Sequence, residues 1–99
     1  LSANTTLTAA HANRHILHPS ADNNARTFTI PANSSVGYPV GTVIVFINEM
    51  NTVSIAINTD TLVMAGSGST GTRTLAASGI ATAIKKTSTS WIISGIGLT

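Results

Sequence analysis

Ninety-nine residues, 42% of them hydrophobic and only 8% charged, with a formal net charge of +2, fit one small domain with few ionic groups; a soluble domain usually carries about 25% charge. That balance excludes a charge-rich disordered tail, and it argues against a nucleic-acid binder, which needs a dense basic stripe. There is no cysteine, so disulfide scaffolds, thiol catalysis and cysteine-based zinc sites are excluded as well.

Neutral polar residues fill the gap: 16 Thr, 11 Ser and 8 Asn stand beside those few charges. Thr, Ser, Asn, Val and Ile all rank low in helix propensity, so the chain reads as all-β. Residues 1–21 read as an extended N-terminal arm or a linker from an upstream region, with a strand run only at His15–His18. Residues 22–99 read as a single domain. Arg26–Ile30 alternates, with Phe28 and Ile30 on one side. Pro31–Ser35 and Gly37–Gly41 are bends. Thr42–Ile47 is β-branched almost throughout, as in a strand buried on both faces. Val53, Ile55 and Ile57 alternate with Ser54 and Ala56, the period of a half-buried strand. The short Asn48–Asn51 link between these two runs predicts a hairpin. Gly66–Gly71 is a Gly/Ser loop. Ile80–Ile84 alternates, Thr87–Ser90 turns the chain, and Trp91–Ile93 opens a last apolar strand. Short strands at such spacings predict a small antiparallel β-sandwich or barrel-like domain.

The longest unbroken apolar run, Val43–Ile47, has five residues, too few for a membrane helix or a signal-peptide core. Because the chain starts at Leu1, it is expected to be part of a longer protein. Its mean hydropathy of +0.31 with so little charge predicts that some surface is buried against copies of itself.

Candidate chemistry is sparse. His11, His15 and His18 would share one face on a helix but not on a strand, and no acidic or thiol ligand completes a set; no metal site is assigned. Asp22, Glu49 and Asp60, the only carboxylates, lie at turns, where such residues satisfy backbone donors. No Gly-x-Ser-x-Gly elbow is present, so no catalytic residue and no cofactor is assigned. Gly66–Gly71 lacks the Lys-Ser/Thr ending of a phosphate loop. A Thr/Ser/Asn surface suits either glycan recognition or plain β-structure with Thr on its wet face. On the first reading the candidate ligand-binding residues are Tyr38, in a bend, with Ser67, Ser69 and Arg73. Trp91, Ile92, Ile93, Ile96 and Leu98 are the candidate subunit contact. In that strand Trp91 and Ile93 fall on one face and Ile92 on the other.

Several phrases occur in order: His15-Ile-Leu-His-Pro-Ser20, Asp22-Asn-Asn-Ala-Arg-Thr-Phe-Thr-Ile-Pro-Ala-Asn33, Tyr38-Pro-Val-Gly-Thr-Val-Ile44, Asp60-Thr-Leu62, Gly71-Thr-Arg-Thr-Leu75 and Thr89-Ser-Trp-Ile-Ile-Ser-Gly95. Together, over about His15 to Thr99, they resemble the C-terminal domain of tail fibre and tail spike proteins of tailed bacteriophages. The resemblance implies a homotrimeric virion component at the distal tail that acts in adsorption to the host surface. Its partners would be an upstream fibre region and host polysaccharide or lipopolysaccharide, with no membrane insertion. It implies no catalytic residue, because in polysaccharide-degrading spikes the active site lies in an upstream β-helix. It singles out no receptor-binding residue. A structural trimerisation cap, and the terminal domain of a spike depolymerase, are the alternatives it leaves open.

Overall fold

The computed structural model describes the whole chain, Leu1 to Thr99. Its strands are β1 (Thr5–Thr6), β2 (His15–His18), β3 (Arg26–Ile30), β4 (Val43–Asn48), β5 (Val53–Ile57), β6 (Thr61–Met64), β7 (Arg73–Thr87) and β8 (Ser90–Leu98). One 3-10 turn, Ala9–His11, is the only helical element. The all-β reading holds. One expectation is corrected: β4, read as buried on both faces, alternates, with Ile44, Phe46 and Asn48 facing inward while Val43, Val45 and Ile47 are half-exposed, because the chain supplies a core on only one side of this strand.

The pairing departs from the expected antiparallel arrangement. β1, β3 and β5 stack in parallel, and so do β2 and β4. β7 then lies antiparallel across both stacks, its start on β5 and its middle on β4. β8 runs antiparallel along the other edge of β7, and β6 joins β8 in parallel. The hairpin expected between β4 and β5 does not form; the two strands pair with successive stretches of β7 instead of with each other. The reason lies in the turn. Asn48 is buried and its amide nitrogen donates to the carbonyls of Asn51 and Leu75. Those bonds send the chain away from β4 instead of back along it. The hairpin read at Thr87–Ser90 does form, between β7 and β8.

β7 breaks register between Leu75 and Ile80, and there the sheet folds over into two layers. One layer is β1-β3-β5 with the start of β7. The other is β2-β4-β7-β8-β6. Phe28 of β3 and Phe46 of β4 meet between them with ring planes nearly parallel, centroids 6.5 Å apart. Leu7, Ile16, Ile30, Ile44, Ile55, Leu62, Leu75, Trp91 and Ile93 belong to the same buried cluster. Leu7 and Ile16, read as arm residues, thus lie in the core, and β1 and β2 hydrogen-bond into the sheet.

Candidate functional site

Two polar networks hold the loops. Asn48, its amide oriented by the two carbonyls it donates to, presents Oδ1 to His18 Nδ1 at 2.8 Å. His18 Nε2 donates to Asp22 Oδ2 at 2.9 Å. Both ring nitrogens therefore face oxygens. Asp22 also accepts from Arg26 Nε and Nη2 at 2.8 and 3.1 Å, and from Asn24 Nδ2 at 2.6 Å. The Arg26 bonds, then the Asn24 bond, hold the Asp22 carboxyl well below the usual carboxylate range against the opposing effect of burial. The signal that could have found this cluster is the spacing His18-x3-Asp22-x3-Arg26, which here wraps a turn rather than a helix. The second network centres on Lys85, 1% exposed. Its Nζ donates to Asn33 Oδ1 at 2.7 Å and to the Tyr38 carbonyl at 2.8 Å. Asp60 Oδ2 accepts the Asn33 N–H at 2.8 Å, the turn role expected of it.

The residues read as ligand-binding do not form one site. Tyr38 is a core residue: it is 4% exposed, its hydroxyl donates to the Thr8 carbonyl at 2.6 Å, and its ring meets Trp91 edge-on at 5.7 Å. Burial pushes its phenol up. A ring needed by the core cannot stack on a ligand, so Tyr38 is withdrawn. Ser67 and Ser69 are exposed in the Gly66–Gly71 loop. Arg73 closes that loop from behind, donating to the carbonyls of Thr70 and Thr72. The histidines separate as well. His18 is fully buried, while His11 and His15 border a surface cavity of about 290 Å³ with Leu1 and Leu17. His11 Nδ1 accepts the Thr8 N–H at 2.8 Å.

The candidate contact strand divides as its alternation predicts. Trp91, Ile93 and Leu98 are buried within the chain itself, which removes them from any subunit contact. Ile92 and Ile96 point outward. Gly95 serves the chain's own packing, since a Cβ there would lie 2.1 Å from the Ile80 carbonyl oxygen.

The two layers present opposite outer faces. On the β3-β5-β7 side, Thr27, Ser54 and Thr74 align across the strands, as do Thr29 and Ala56. On the other side Val63, Ile92, Ile84 and Val43 form one rung. Ile96, Ile80, Ile47 and Leu17 form another. Between them runs a polar rung of Ser94, Thr82, Val45 and His15. Ile96 is 78% exposed, Ile80 44% and Ile84 41%. No Lys, Arg, Asp or Glu stands in any of the three rungs.

No protein-family model, no curated protein and no solved structure matches the chain. The face and its chemistry therefore carry the functional reading, beside the sequence phrases.

Proposed function

We propose that this chain is a non-enzymatic, trimeric C-terminal module of a phage tail fibre, carried on the virion's distal tail, that binds bacterial surface glycan during adsorption. The observation that supports assembly is the contrast between the outer faces. One carries Thr and Ser and is suited to water. The other carries eight Val, Ile and Leu side chains in two rungs on either side of a polar one, three of them, Ile80, Ile84 and Ile96, exposed; apolar patches of this kind often mark interaction sites. Five strands at about 4.8 Å spacing and three rungs give a flat footprint of roughly 450 Å². A stable complex buries about 800 Å² per partner, so this face supplies roughly half of that. Further copies of the same chain suit this face because it holds no charge to leave unpaired. The number three comes from the resemblance to tail fibre domains.

The glycan reading rests on that resemblance and on a surface of neutral hydroxyls and amides. A purified fragment is expected to bind host capsule or lipopolysaccharide in a surface-plasmon assay while releasing no reducing ends. Time-dependent depolymerisation, or absence of binding to the polysaccharide of any strain the phage adsorbs to, would overturn it. The alternative is a structural trimerisation cap, with recognition elsewhere in the fibre. The same binding assay separates the two, because a cap alone binds no glycan.

A further inference from the structure

A groove of about 440 Å³ opens at the end of the apolar face, lined by Ser20, Ile47, Asn48, Glu49, Ser78, Gly79 and Ile80. Its size falls within the range of small-ligand sites. Two loops and an irregular stretch of a strand build it. Ser20 comes from the β2–β3 connection, Glu49 from the turn after β4, and Ser78 from the register break in β7. The carboxylate is held in place: Glu49 Oε1 accepts the Ser20 N–H at 3.1 Å, and the Glu49 N–H donates to the His18 carbonyl at 3.0 Å. Behind it stands the His18–Asp22–Arg26 network, which fixes the loop that carries Ser20.

Ser78 has φ of +63°, a conformation that glycine adopts without strain and serine does not. Gly79 beside it cannot be replaced freely, because a Cβ would lie 2.7 Å from the Ala76 carbonyl oxygen. A strained backbone position on the rim of a groove is a place to look for a functional side chain, and here that side chain is a hydroxyl. Neither the Ser20 nor the Ser78 hydroxyl has a hydrogen-bond partner within the chain. Ile47 and Ile80, which belong to the second apolar rung, supply an apolar floor between these polar groups, so the contact between copies runs over the rest of the face and leaves this end open.

We infer that this groove, and not the Tyr38/Ser67/Ser69/Arg73 set, is the glycan site, and that it takes a neutral or amino sugar. The inference rests on the glycan-binding reading above and locates its site. The carboxylate accepts from sugar hydroxyls, the serines exchange hydrogen bonds with others, and the C–H face of the ring lies over Ile47 and Ile80. No Lys or Arg lines the groove, so a uronic acid, sialic acid or phosphate would meet Glu49 as a like charge and is disfavoured.

The test is a bacterial glycan array with neutral, amino and acidic oligosaccharides, probed with the assembled wild-type protein and with Glu49→Gln and Ser78→Gly. Light scattering confirms the same assembly state for each. Glu49→Gln keeps the acceptor for the Ser20 N–H but loses the charge. It is expected to weaken binding roughly tenfold, the effect of losing a charge-assisted bond. Ser78→Gly is expected to weaken binding while its melting temperature stays level or rises, a combination that a purely structural serine does not produce. Wild-type hits that are exclusively acidic glycans, or that both variants retain unchanged, would overturn this placement and leave the glycan-binding reading standing. No wild-type hit at all would overturn both.

Discussion

At the residue scale the fold depends on polar side chains buried with their partners. Lys85 is the clearest. Its ammonium ties Asn33 and Tyr38, two points in the β3–β4 connection, to the inner face of β7. Lys85→Ala removes the stem and leaves Asn33 Oδ1 and the Tyr38 carbonyl without that donor. The expected loss is about 2–4 kcal/mol by urea denaturation. Lys85→Met restores most of the volume but not the bonds, and its loss is expected to be smaller. If Lys85→Ala is neutral, the Nζ bonds hold nothing together. Asp22 controls the acid response. Its pKa is depressed from the ordinary 3.8, so the folded chain binds fewer protons there than the unfolded one as pH falls. Its contribution is therefore fully present above that ordinary value and is lost as pH drops below it. The stability gap between wild type and Asp22→Asn is expected to be wide near pH 7 and to narrow by about pH 3. A gap that stays constant would contradict the assignment. The Lys85 network leaves no local signal, and the His18 cluster leaves only its i, i+4 spacing. A buried Lys and a buried His look like surface residues in a list of residue types, and only the fold brings Asn33 to Lys85, 52 positions apart.

At the element scale the strands were legible and their partners were not. Alternation and β-branching mark Arg26–Ile30, Thr42–Ile47 and Val53–Ile57 as strands because side chains in a sheet must face core or solvent by turns. Those signals say nothing about which edge meets which. The link Asn48–Asn51 has hairpin length, yet the buried Asn48 side chain redirects it. The β7–β8 hairpin was read correctly, and Gly95 shows how closely it packs. A Cβ at 95 would meet the Ile80 carbonyl oxygen at 2.1 Å and Ala81 Cα at 2.7 Å, contacts that only backbone movement relieves. Gly95→Ala is expected to cost about 2–3 kcal/mol, toward the upper range for overpacking. Gly68 has open space around it, with φ of +73°, so Gly68→Ala is expected to cost about 1 kcal/mol for the left-handed backbone alone. Thermal melts of the two variants rank them. Equal losses would mean that β7 and β8 can part without penalty.

At the scale of the whole molecule the sequence separates a wet face from a dry one. The charge-poor composition already implied a covered surface, and the last strand showed an apolar side left over. What it could not show was that β4, β6 and β7 extend the same surface, since their register comes from parallel and antiparallel pairings that no local pattern encodes. The core claimed Trp91, Ile93 and Leu98, and the outer face kept Ile92 and Ile96. The most direct test is the mass of the purified chain by light scattering coupled to size exclusion, beside Ile84→Asp and Ile96→Asp. Wild type is expected at about three times the chain mass of 10.1 kDa, following closed cyclic symmetry. Both variants are expected to fall to the monomer, because each would bury an unpaired carboxylate at the contact. A wild-type monomer at micromolar concentration, or aspartate variants that keep the wild-type mass, would contradict assembly through this face.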